Sequence, residues 1–140
     1  ITLSPNWAVG HAALGRTLMY AGQYEEGLAQ LKKAIRLSPV PRSWYLIMMG
    51  SCYQHLGKQK EAIEEFKKVL QQNPNDLFAH VFLAASYSIL GREMEAQTEA
   101  AEVLRVNPKF SLEHIAKTWP YKNRADIVFV IEALRKAGLK

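Results

Sequence analysis

Residues 49–74, MGSCYQHLGKQKEAIEEFKKVLQQNP, lay out one structural unit from end to end. A small residue, Gly50, follows Met49, and Gly57 stands seven positions later. Ala62, Phe66 and Val69 come next, and Pro74 closes the stretch. Glycine reaches the left-handed backbone that ends a helix. Proline lacks an amide donor and restricts the residue before it, so a helix stops there. The stretch therefore predicts two antiparallel helices joined by a tight turn at Gly57.

The same landmarks recur along the chain. Pro5, Pro39, Pro74 and Pro108 are separated by 34, 35 and 34 positions. Gly15, Gly50 and Ala84 share one phase, as do Gly22, Gly57 and Gly91. Gly27, Ala62 and Ala96 share another, followed by Ala34, Val69 and Val103. Each proline closes a helical pattern: Leu28 to Leu37, Ala62 to Gln71, Ala96 to Val106. One hairpin cannot bury its own apolar face, so hairpins of this period must stack on one another. Small residues let the paired backbones approach, and Leu18, Tyr53, Tyr87, Leu31 and Phe66 fill the space between helices. Ala100 stands where Leu31 and Phe66 stand in the earlier units. The third hairpin is therefore expected to pack less tightly at its second helix, or to receive a side chain from the tail. The junction Ser38-Pro39-Val40-Pro41 has one extra residue and is expected to be stiff.

Over residues 1–108 these features resemble the tetratricopeptide (TPR) repeat family. The resemblance implies an all-α, right-handed superhelical solenoid of helical hairpins with a C-terminal helical cap. Repeats are expected at about 8–41, 43–76 and 77–108. Residues 1–5 are expected to end a truncated upstream repeat, since Ile1-Thr2-Leu3-Ser4-Pro5 matches Ile35-Arg36-Leu37-Ser38-Pro39 at four of five positions. Residues 109–140 are expected to form capping helices.

The resemblance also implies that the first helix of each hairpin lines an inner groove. By register, the partner-binding residues are Arg16, Met19 and Tyr20, then Trp44, Ile47, Gln54 and His55, then Phe78, Val81 and Ile89. This set is mostly apolar and aromatic. It suits an amphipathic helix or an extended apolar segment of a protein or peptide partner. Chaperone-binding members of the family resemble a two-carboxylate clamp of Lys, Asn and Arg. The matching positions here hold Ala12, Arg16, Met48, Phe78 and Phe82, so that ligand is not expected.

Composition limits the alternatives. Of 140 residues, 49% are apolar and 22% charged, the balance of a folded chain. The net charge of +5 is spread among interleaved signs, as in Glu25-Glu26 before Lys32-Lys33 and Glu64-Glu65 before Lys67-Lys68. That spacing marks solvated helix faces rather than a nucleic-acid footprint. An RNA-binding helical repeat has a similar period and is the second reading, but it needs polar base-reading side chains where Ile47 and Val81 stand. The single cysteine, Cys52, cannot form an internal disulfide. The apolar runs at 44–49 and 82–85 fall short of the roughly 20 residues a bilayer span requires. A reducing, cytoplasmic setting with no membrane contact is expected.

The four histidines lack metal-ligand spacing, since His11 and His80 are equivalents in different hairpins. No catalytic residue, metal or cofactor is expected.

The tail breaks the period. Ser111 is expected to cap a helix ending before Pro120. Asn123 is expected to cap a second, with Asp126 in the reciprocal capping position and Gly138 as its stop. Ile127, Val128, Phe129, Val130 and Ile131 are consecutive and reach all the way round a helix. Either this helix is buried on two sides, or Val128 and Phe129 face a second copy of the chain in a homodimer; the residues alone leave both open. Asn107 to Glu113, Pro120-Tyr121-Lys122, Ala125-Asp126 and Leu134 to Leu139 resemble the C-terminus of bacterial multidomain adenylate/guanylate cyclase-type proteins. That resemblance implies a TPR region within a signalling protein and carries over no catalytic residue.

Overall fold

The computed structural model describes residues 5–140, with side chains from residue 7 onward. Of residues 1–5, expected to end a truncated upstream repeat, residues 1–4 lie outside the described residues and Pro5 begins the first helix. Eight helices follow in the described residues: α1 (Pro5–Tyr20), α2 (Tyr24–Leu37), α3 (Ser43–His55), α4 (Gln59–Gln72), α5 (Leu77–Ile89), α6 (Glu93–Val106), α7 (Leu112–Thr118) and α8 (Arg124–Lys136). Helices α1 to α6 pair as three hairpins, and the second helix of each packs on the first helix of the next.

Each hairpin turn has the same chemistry. Gly22, Gly57 and Gly91 have φ of 87°, 80° and 76°. Their amides bond back to Met19, Gln54 and Ser88, while the amides of Gln23, Lys58 and Arg92 reach Leu18, Tyr53 and Tyr87. This pair of bonds satisfies carbonyls that a helix end leaves unpaired. A residue with a Cβ is strained in that backbone region.

The pairing depends on a close approach within each hairpin. A Cβ on Gly15 would lie 2.7 Å from Leu31 Cγ and 2.9 Å from the Gly27 carbonyl oxygen. A Cβ on Gly50 would run into the Phe66 ring. In the third hairpin Ala84 replaces the glycine, and its register partner Ala100 is small; both are buried. Room for the extra methyl is thus matched by loss of the large side chain.

Between the paired helices, His11 Nδ1 lies 2.7 Å from Gln30 Oε1, and His80 Nδ1 lies 2.6 Å from Glu99 Oε2. The same register in the second hairpin holds Leu46 and Glu65. Glu65 is buried, and its Oε2 has no hydrogen-bond partner there, although Oε1 meets Lys68. His11 and His80 therefore tie together the two helices of their hairpins. Among the described residues, no group of three His, Cys, Asp or Glu side chains is placed to hold a metal ion.

The tail does not extend the stack. Helix α8 packs against α5 and α7, and the α6 side chains Met94 and Leu104 stay exposed. The expected cap therefore covers the third hairpin from its first helix, not its second. Ser111 caps α7 by accepting from the His114 amide, and Asn123 caps α8 by accepting from the Ala125 amide. Asp126 does not close a reciprocal box, because its carboxylate accepts from the Tyr24 hydroxyl instead.

Gly50→Ala is expected to destabilise the chain by about 1–3 kcal/mol in urea unfolding, through overpacking against Phe66. Adding Phe66→Leu should recover part of that loss, so the two changes will be non-additive.

Candidate functional site

Helices α1, α3 and α5 contain no Asp or Glu. They line the concave face of the stack, while α2, α4 and α6 carry acidic residues on the other side. The concave face has two halves with different surroundings.

One half is an open cleft of about 250 Å³. Trp44, Phe78, Phe82 and Trp119 wall it, Ile47 and Met48 floor it, and Arg16 and Tyr20 stand at its rim. The Arg16 guanidinium lies over the Trp44 ring, 5.1 Å from the centroid. Trp119 comes from the tail, and its ring is 5.2 Å from that of Phe82 and 6.4 Å from that of Phe78. Phe78 is half exposed, although it lines a cleft built from core helices. Beyond the rim, Arg16, Tyr20, Pro120 and Lys122 border a wide depression.

The other half is filled by the tail. The Tyr121 ring meets Tyr20 edge-on at 5.1 Å, and its hydroxyl lies 2.9 Å from His55 Nε2. The Lys122 amide donates to the Tyr20 carbonyl at 2.8 Å, supplying a partner to the C-terminal end of α1. The Tyr24 hydroxyl donates to Asp126 Oδ2 at 2.6 Å. His55 is stacked between these groups, parallel to Tyr24 at 4.5 Å and near Phe129 at 5.6 Å. Burial lowers its pKa to about 4, opposed by the nearby Asp126 carboxylate. At neutral pH the imidazole is therefore uncharged, and its Nε2 shares a hydrogen bond with the Tyr121 hydroxyl. Burial raises the Tyr121 and Tyr24 hydroxyls, and the Asp126 bond raises Tyr24 further. Cys52 is buried, and its thiol is pushed up to about 12, which keeps it protonated and unreactive.

The expected groove residues divide accordingly. Arg16, Tyr20, Trp44, Ile47 and Phe78 meet at the cleft. His55 lies under the tail, and Ile89 lines a depression against Val128 and Phe129 of α8. Met19, Gln54 and Val81 are buried and present nothing to a partner. Met19 receives the Ser51 hydroxyl at 3.7 Å. Gln54 Nε2 donates to the Phe82 carbonyl at 3.1 Å and to Ser86 at 2.8 Å, tying α3 to α5. Of the expected self-association pair, Val128 is 42% and Phe129 41% exposed. Trp119, Tyr121, Lys122 and Asp126 were not among the expected site residues. Their sequence signal is Trp119-Pro120-Tyr121, two aromatics around a helix breaker in an otherwise polar connection.

Family models described as tetratricopeptide repeat match residues 10–41 and 43–76. These two hairpins are tetratricopeptide repeats. The third hairpin lies outside both matches and keeps their register and turn geometry. No curated protein matches the sequence. Several solved structures share the fold at low identity. The first TPR of Spaghetti (RPAP3), bound to the HSP90 peptide SRMEEVD, superposes with a TM-score of 0.74 at 18% identity, covering 98% of this chain and 94% of that one. MamA gives 0.71 at 19% identity, covering 96% and 78%. PcrH in complex with the chaperone binding region of PopB gives 0.70 at 16%, covering 96% and 97%.

The depressed His55 pKa makes stability pH-dependent. Its contribution is complete above the unfolded value near 6.5 and is lost as pH falls toward about 4, because the unfolded chain takes up the proton first. Thermal unfolding of the wild-type chain and of His55→Gln between pH 7 and 4.5 should show the wild-type advantage shrinking as pH falls. A constant difference would contradict the assignment.

Proposed function

We propose that this chain is a protein-binding module that takes an apolar-anchored segment of a partner into the cleft between Trp44, Phe78 and Trp119. The observation that carries this reading is the cleft itself: an aromatic cavity of about 250 Å³, open to solvent, on a face whose helices hold no carboxylate. Tetratricopeptide repeats are protein-interaction modules, not enzymes. Apolar and aromatic walls supply affinity when a bulky side chain desolvates them. Arg16 at the rim and Lys122 nearby favour a neutral or acidic flank over a basic one.

The fold neighbours support a peptide-holding role by analogy, since RPAP3 and PcrH are seen with an HSP90 peptide and a PopB region respectively. The clamp expected of chaperone-binding members is not part of this reading, because Phe78, Phe82 and Met48 turn the equivalent surface apolar. The likeness of residues 107–139 to cyclase-type C-termini supports a wider setting, a cytoplasmic bacterial signalling protein in which this region recruits a partner. Val128 and Phe129 offer an exposed apolar pair for association between two copies within that setting.

The test is fluorescence anisotropy with a panel of labelled ten-residue peptides that carry one central Trp, Phe or Leu, or Gly as the control, with acidic or basic flanks. Binding should require the anchor and should favour acidic flanks. Trp44→Ala and Phe78→Ala should each weaken it about tenfold, or ~1.4 kcal/mol, while Met94→Ala on α6 leaves it unchanged. Absence of anchor dependence, or equal loss with Met94→Ala, would refute the cleft as the binding site.

A further inference from the structure

Half of the concave face is covered by the chain's own tail, and the mode of covering resembles that of a ligand. Residues 119–122 run as an aromatic–proline–aromatic turn across α1, α3 and α5, and α8 follows with Ile127, Val130, Ile131 and Leu134 buried. An amphipathic helix laid along a groove is a recurring mode of peptide recognition. The seat is therefore shaped for such a helix, since it holds one.

Three features make this contact separable from the stack. The tail enters through a single connection, Asn107 to Ser111, after the last hairpin. Among the described residues, no ion pair ties it to α1–α6; its ion pairs, Lys117–Glu113 and Arg135–Glu132, are internal. Its polar ties to the hairpins come from three residues: the Lys122 amide on Tyr20, the Asp126 carboxylate on Tyr24, and the Tyr121 hydroxyl, 2.9 Å from His55 Nε2 and 3.4 Å from the Ser51 hydroxyl. Val128 and Phe129 stay partly exposed where α8 meets Ile89 and His55, so the helix is not enclosed.

The tail is also coupled to the cleft. Trp119 is at once the first docked residue of the tail and one wall of the cleft. A partner that presses beyond the anchor position meets Trp119, then Tyr121. Groups that share a wall cannot be occupied independently.

We propose that residues 119–136 are an exchangeable intramolecular ligand: they hold the concave face closed, and a partner amphipathic helix of similar chemistry gains the full groove by displacing them. This rests on the cleft reading above for the identity of the binding face. A docked tail lowers the apparent affinity of any such partner by the fraction of chains in which the seat is free. The tail should accordingly open as a unit of its own, ahead of the hairpins.

The test uses the full chain, a full-length variant carrying Tyr121→Ala and Asp126→Ala, and a fluorescein-labelled synthetic peptide of residues 117–140 as the probe. The probe should bind the variant at least tenfold more tightly than the wild type. In the wild type, amides of Val130 to Leu134 should exchange with deuterium at least tenfold faster than those of α3 and α4. This second measurement needs no mutation, so it stands even if the variant is poorly folded. Equal probe affinity for the two chains with helicity retained, or tail amides as protected as α4, overturns the proposal. Anchor peptides that bind wild type and variant with the same affinity also overturn it while leaving the cleft reading intact. Anchor peptides that bind neither chain refute the cleft reading instead.

Discussion

The structure depends on one steric constraint: the two helices of a hairpin touch backbone to side chain where Gly15 meets Leu31 and Gly50 meets Phe66, and in the third hairpin the register pair Ala84 and Ala100 are both small and buried. Close-packed interiors do not absorb an added methylene without moving something. That contact fixes the angle of each pair. The turn glycines, with positive φ, then deliver the second helix back along the first. Stacking the pairs places every first helix on the inside of the curve and every second helix on the outside.

The division of chemistry follows from this arrangement. Inner helices α1, α3 and α5 are free of carboxylates and rich in aromatics. Outer helices carry the acids, with the exposed ion pairs Arg92–Glu95 and Arg105–Glu102 at α6 and the Lys68 pair of the buried Glu65 on α4. Exposed pairs contribute little to stability, so their role is mainly solubility. The inner face, unable to repel an acidic or apolar segment, is the surface that can receive one. Its half nearest α8 is already satisfied by Tyr121, Asp126 and the α8 apolar side chains, and its other half is not.

Much of this was legible in the residues because the constraint is local. Gly22, Gly57 and Gly91 mark turns that only glycine takes without strain, and the matched sizes at Ala84 and Ala100 are visible as a paired exception. The register also puts Arg16, Trp44 and Phe78 on one face. It misassigns Met19, Gln54 and Val81, because a helix position that faces the groove in projection also faces the neighbouring helix when the helices lie close. Gln54 reads as a polar groove residue and instead ties α3 to α5 through buried hydrogen bonds. The path of the tail was not legible at all. Ile127 to Ile131 present apolar side chains in every direction, so periodicity selects no face, and Asp126 reads equally well as a helix cap. Only the placement of Tyr24 and His55, more than 60 positions away in the chain, decides it.

The most direct measurement is a two-dimensional ¹H–¹⁵N NMR titration of the chain with a peptide bearing a single tryptophan anchor. If the concave cleft is the binding face, the largest shifts will fall on the Arg16, Ile47 and Phe78 amides and on the indole N–H groups of Trp44 and Trp119. Shifts confined to α2, α4 and α6 would contradict the account.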